Sequence, residues 1–166
     1  MPNKYDDLYM DIAGRLAQQS FAERVKVGAV LVKNNQIISE GWNGTPSGFP
    51  NECEDYAYLD HGSEHPIMST TKKEVLHAES NALMKVAKST QSSDGATLYT
   101  TLSPCFECSK LLVQAGVKRV VYRDNYRDLT PISFLTTCEV EIEQYEREVP
   151  VGRTSSTKDD YRMFTQ

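Results

Sequence analysis

Two short stretches of the chain carry residues able to do chemistry: His77-Ala78-Glu79, and Pro104-Cys105-Phe106-Glu107-Cys108. Two cysteines at this spacing admit three readings: a thioredoxin-like redox pair, half of a structural zinc site, or two ligands of a catalytic metal. A redox pair has no evident need of a third partner, and a structural zinc wants four protein ligands. His77 offers one more soft or borderline ligand. Three ligands of this kind suit Zn²⁺ and leave a fourth tetrahedral position for water. Glu79 is then worth more as a non-ligand, because a carboxylate beside a metal-held water can accept its proton and deliver it to a leaving group.

For this to work, both stretches must sit at the start of a helix. Residues i and i+2 of a regular helix face different ways, but in a first turn both side chains can be aimed at a neighbouring strand end. The apolar, β-branched run ATLYTTL (96–102) reads as a strand, broken by Ser103-Pro104. Cys108, Leu111, Leu112 and Ala115 then form one face of a short helix that Gly116 ends. Pro104 near the first helical position and the helix dipole both favour thiolates there. Leu76, Ala82, Leu83, Val86 and Ala87 give a helical stripe over 74–88, with His77 and Glu79 near its beginning.

The remaining elements are simpler. Tyr5, Leu8, Tyr9, Ile12, Ala13 and Leu16 mark an amphipathic helix. VKVGAVLV (25–32) and IISEGW (37–42) predict a hairpin of core strands around KNNQ. RVVY (119–122) is a further strand, and the alternating CEVEIE (138–143) is one with a wet face near an edge. The stretch 43–73 holds three prolines and three glycines without periodicity and reads as a long loop, the kind that contributes to a site. The order α-β-β-α-β-α-β-β, with a right-handed strand-helix-strand crossover in its second half, predicts a three-layer α/β/α sandwich on a mixed sheet of about five strands. No repeat is evident, and residues from Pro150 onward carry little pattern.

A chain of 166 residues fits one domain over 1–166. A formal charge of −5 argues against a nucleic-acid partner, whose binding draws on clustered Lys and Arg. No apolar run approaches the roughly 18 residues of a membrane span, and the first residues lack the basic and apolar regions of a leader, so a cytoplasmic protein is expected. Four cysteines at 53, 105, 108 and 138 are too few and uneven for a secreted disulfide scaffold.

His-x-Glu alone is common and CxxC alone only moderately informative. Together, in this order and with the proline before Cys105, they match the H-x-E…P-C-x-x-C signature of zinc nucleobase deaminases. Over residues 5–145 the chain resembles the cytidine deaminase superfamily, and within it deoxycytidylate (dCMP) deaminases of phage and bacterial type. The likeness rests on KVGAVLVKNNQIISEGWNGTPSGFPNECED, HAESNAL, TLYTTLSPCFECSKLLVQAGVKRVVY and NYRD. Trp42 departs mildly from the G-Y-N-G-x-P loop common in that family.

The resemblance implies hydrolysis of dCMP to dUMP and ammonia, with zinc on His77, Cys105 and Cys108 and with Glu79 moving protons at N3 and at the departing amine. It implies substrate contacts at Asn43, Ala78, Ser103 and Tyr126, with Asn43 on the sugar and Tyr126 on the 5′-phosphate. The cation that meets this phosphate stays open among Lys26, Lys72, Lys73, Arg123 and Arg127. The resemblance also implies activation by dCTP and inhibition by dTTP, with Mg²⁺ accompanying the effector, near Asn81. A homohexamer in the cytoplasm of a bacterium or of a phage-infected host completes the expectation. His61 and His65, with Cys53 upstream, have metal-like spacing, but ordinary loop polarity is the favoured reading. Two rivals remain. A deaminase acting on a base within RNA or single-stranded DNA would want a basic groove with stacking aromatics. A non-catalytic zinc module would want four protein ligands.

Overall fold

The computed structural model describes residues 3–58 and 68–146. Eleven elements follow in chain order: α1 (Asp6–Ala17), β1 (Gly28–Lys33), β2 (Gln36–Trp42), β3 (Glu54–Ala57), β4 (Met68–Thr71), α2 (Ala78–Ala87), β5 (Thr97–Leu102), α3 (Phe106–Gln114), β6 (Arg119–Asp124), α4 (Thr130–Thr137) and β7 (Glu141–Gln144). β2, β1, β5, β6 and β7 form one sheet in that order. β1 runs antiparallel to β2 and β5, whereas β5, β6 and β7 are parallel, so the sheet is mixed as expected.

Strand periodicity explains the layers. Successive side chains of a strand point to opposite faces. Ala29, Leu31, Leu98 and Val120 accordingly join the core beneath α2, α3 and α4, while Val30, Val32, Tyr99 and Val121 pack against α1. A sheet covered on both faces needs apolar residues at consecutive positions, which is why GAVLV shows no alternation. Asn34 and Asn35 turn β1 into β2 with φ of 52° and 57°, the left-handed pair a two-residue hairpin favours.

Two glycines set how closely helices approach the sheet. A Cβ on Gly28 would strike the Ala13 carbonyl of α1, and one on Gly41 would strike the Ala78 carbonyl and the Ala82 amide of α2. Gly41 thereby lets the start of α2 lie directly on β2.

Three features differ from the sequence expectation. The 43–73 stretch is not all loop: β3 and β4 pair antiparallel as a separate two-stranded sheet, and Gly44 bridges to Leu76. Both strands are four residues long and largely exposed, so no apolar alternation announces them. α2 starts at Ala78, not at 74, because His77 is still extended (φ −72°, ψ 156°). Residues 130–137 form α4, with Pro131 in its first turn, and β7 begins only at Glu141. Cys138 caps α4, and Glu139, at φ 59°, turns the chain from helix to strand.

Candidate metal centre

The parallel strands β5 and β6 deliver the site. At the end of β5, Ser103 and Pro104 lead into Cys105, the cap residue of α3, whose extended backbone (φ −73°, ψ 171°) keeps its side chain out of the helical register. Cys108 follows in the first turn and is buried. On α2 the cap residue is His77. With both caps non-helical, the two helix starts aim donor atoms at one point: His77 Nδ1 is 3.3 Å from Cys105 Sγ and 3.5 Å from Cys108 Sγ.

This spacing can be tested against a metal. Bond lengths of roughly 2.3 Å to sulfur and 2.0–2.1 Å to nitrogen, at a tetrahedral angle, put the donors about 3.5 Å apart. The observed separations match, and all three atoms lie within 4.8 Å of one another. One imidazole and two thiols therefore fit zinc. The Cys105 thiol is held down to about 4, first by a hydrogen bond from the Cys108 thiol and then by the imidazole, against the effect of burial. The His77 imidazole is pushed up by its bond to Cys105.

Glu79 stands in the first turn of α2 and is 4% exposed. Burial pushes its carboxyl up to about 7. It lines a cleft of about 600 Å³ together with His77 and Cys105.

Asn43, Ala78, Ser103 and Tyr126 all line the same cleft. Ser103 Oγ accepts the Tyr126 amide at 2.7 Å, which fixes the chain after β6 against the chain after β5. Asn43 Oδ1 accepts the Val27 amide and its Nδ2 donates to the Val25 carbonyl, each at 2.8 Å. Asn81 lies outside the cleft lining: its Nδ2 donates to the Trp42 carbonyl at 2.9 Å and ties α2 to the end of β2. Cys53 is buried with its thiol 3.6 Å from the Asn51 carbonyl, while His61, His65 and the stretch after Pro150 lie outside the described residues.

The sequence reading missed Arg24, Glu54 and the Thr70-Thr71 pair, all on the cleft wall. Arg24 sits in an irregular segment before β1, and the burial of Glu54 arises only when β3 folds against that segment, so neither leaves a local signal. Of Lys26, Lys72, Lys73, Arg123 and Arg127, it is Arg127 that lines the cleft, its guanidinium 5.6 Å from the Tyr126 ring centre. Lys72 is paired with Glu52 and Asp55, and Arg123 with Asp124.

Comparison with known proteins gives a consistent picture. Residues 3–124 match the family model described as the cytidine and deoxycytidylate deaminase zinc-binding region. The deoxycytidylate deaminase of Enterobacteria phage T2 is 35% identical over 150 residues, spanning 70% of this chain and 78% of that protein. Human deoxycytidylate deaminase is 35% identical over 127 residues, spanning 75% of this chain and 68% of that protein. The crystal structure of dCMP deaminase from the cyanophage S-TIM5, in complex with dCMP and dUMP, superposes with a TM-score of 0.75 at 46% identity, covering 87% of this chain and 99% of that one. Fold, donor geometry and sequence likeness thus agree that the chain belongs to the cytidine and deoxycytidylate deaminase family.

Proposed function

We propose that the chain catalyses the hydrolytic deamination of dCMP to dUMP and ammonia, in the supply of dUMP for thymidine nucleotides. The observation that carries this reading is the buried Glu79 carboxyl, pushed to about 7, on the same cleft wall as a donor set that, among the described residues, is one ligand short of a tetrahedron. The 46% identity to the cyanophage enzyme crystallised with dCMP and dUMP supports the choice of nucleotide.

Zinc held by His77, Cys105 and Cys108 would supply the Lewis acidity that makes water a nucleophile near neutral pH. The chain's own residues do the rest. Glu79 takes a proton from the attacking water and gives it to N3 as the new C4–O bond forms. It then takes the second proton of that water from the new C4 hydroxyl and delivers it to the amine, so that the C4 carbonyl forms as the C4–N bond breaks with release of ammonia. A carboxyl near 7 is suited to both directions of transfer, since Brønsted matching favours a pKa close to the working pH. The cleft supports the other contacts: Asn43 toward the sugar, where one amide hydrogen remains beyond its bond to Val25, and Tyr126 with Arg24 and Arg127 toward the 5′-phosphate. A guanidinium provides a planar fork for phosphate oxygens.

Regulation by dCTP and dTTP, with Mg²⁺ on the effector, a homohexamer and a cytoplasmic setting complete the proposal. Asn81, bound to the end of β2, is the residue through which an effector would reach α2 and Glu79. Steady-state deamination of dCMP, CMP, dCTP and deoxycytidine, each with and without dCTP and dTTP, tests these statements together. The expected outcome is a preference for dCMP, raised by dCTP and lowered by dTTP. Equal turnover of all four substrates would refute the substrate assignment, and indifference to both triphosphates would refute the regulation.

A further inference from the structure

The segment between α1 and β1 builds one wall of the cleft through Ala22, Arg24, Val25 and Val27. It has no helix or strand of its own over residues 20–27. Side chains hold it instead. Asn43 fixes Val25 and Val27, and Ser20 Oγ donates to the Asn43 carbonyl at 2.7 Å while accepting the Ala22 amide at 3.1 Å. Residues 23 and 24 are held by Glu54: its Oε1 accepts the Glu23 amide at 3.1 Å and the Arg24 amide at 3.3 Å. A second tie runs from the same strand, where the Tyr56 hydroxyl donates to Glu23 Oε2 at 2.7 Å.

Glu54 is only 5% exposed, yet it too lines the cleft. Burying a carboxylate is unfavourable unless it gains strong hydrogen bonds. Two consecutive amides converging on one oxygen fix the backbone torsions between them, and with those torsions the direction in which the Arg24 side chain leaves the chain. We propose that Glu54 is a positioning residue: it acts through the 23–24 backbone to hold Arg24 on the cleft wall, where that guanidinium meets the substrate's phosphate. The inference rests on the reading of the cleft as a nucleoside monophosphate site. An isolated arginine on an irregular segment would lose side-chain and backbone entropy on binding, and Glu54 removes part of that loss in advance.

The test compares dCMP with deoxycytidine, which lacks the phosphate, in zinc-replete wild type, Glu54→Ala and Glu54→Gln. The kcat/KM ratio of dCMP over deoxycytidine is expected to fall about tenfold in the alanine variant, mainly through KM for dCMP, since positioning is lost rather than chemistry. It falls about threefold in the glutamine variant, whose neutral oxygen still accepts the amides but more weakly. Amide hydrogen exchange at Glu23 and Arg24 should quicken in the same order. A merely structural role would depress both substrates alike, so an unchanged ratio overturns the inference. If the alanine variant does not fold, the glutamine variant decides: an unchanged ratio overturns it, whatever the exchange shows. A wild type unable to deaminate dCMP would defeat the substrate reading itself, and this inference with it. Wild-type turnover with a ratio insensitive to Glu54 defeats this inference alone.

Discussion

A carboxyl group 4% exposed is an unfavourable thing to bury, and at position 79 that burial is what tunes it, raising the group to about 7. The role proposed for Glu79 is proton transfer, with no part in holding metal. Glu79→Gln is therefore expected to retain zinc at the wild-type stoichiometry while kcat falls about 10²- to 10⁴-fold, the range a general acid and base contributes. Metal analysis alongside steady-state rates checks this. Loss of zinc together with rate would make Glu79 a ligand instead. These residues are readable from sequence because the chemistry dictates both type and local spacing: His77-x-Glu79 and Cys105-x-x-Cys108 each lie within one turn. Arg24 and Glu54 escape such a reading because their places on the cleft wall are made by contacts across 30 or 31 positions. Asn43 was legible as a cleft residue, but its work in bracing Val25 and Val27 was not.

At the scale of elements, the site exists because two helices begin beside the end of β5. α2 reaches that place by lying on Gly41 without an intervening side chain. Gly41→Ala forces its new methyl into the α2 backbone at Ala78 and Ala82, beside the Glu79 carboxyl. Overpacking of this kind costs about 1–3 kcal/mol. Urea unfolding should show that loss, and activity should fall further than a comparable change at an exposed position of β2 would produce. The long strands and the three helices α1, α2 and α3 were visible in the sequence because each buries a continuous or periodic apolar set. α4 was not, since TPISFLTT is short and rich in β-branched residues, and neither was the β3–β4 pair, whose strands bury little. The apolar pattern runs on through Val75 and Leu76, before the backbone turns helical at Ala78, so the pattern alone marks the start of α2 too early.

Across the whole molecule, a buried charged cluster locks α1 to the sheet on the face away from α2 and α3. Arg119, at the start of β6, donates to both carboxylate oxygens of Asp6, at 3.0 and 2.8 Å, and to Glu143 at 2.7 Å, while the Tyr99 hydroxyl donates to Asp6 at 2.6 Å. Burial pushes the Asp6 carboxyl up, but hydrogen bonds from Arg119, Tyr99 and the Asn3 amide outweigh it and leave the group below its ordinary value. A folded-state pKa below the unfolded one gives stability that is present above the unfolded value and is lost as pH falls through the folded value. Acid should therefore weaken the protein below about pH 4. Asp6→Ala leaves a buried guanidinium short of a partner and is expected to cost about 3 kcal/mol at neutral pH. Its unfolding free energy should vary less than the wild type's across the acid range. Thermal melts of both proteins at pH 7 and in acid measure these differences.

Zinc would act at the same scale, since His77, Cys105 and Cys108, the residues that would hold it, come from the starts of α2 and α3. At a free concentration about 1,000 times Kd the metal would add about 4 kcal/mol to stability, so chelation should lower the melting temperature and added zinc should restore it.

The most direct measurement follows the conversion of dCMP to dUMP by zinc-replete protein, with metal content determined on the same preparation, for the wild type and Glu79→Gln side by side. The account predicts zinc bound in both, turnover in the wild type, and near-complete loss of turnover in the variant. Rapid deamination by Glu79→Gln, or a zinc-loaded wild type that leaves dCMP untouched, would contradict it.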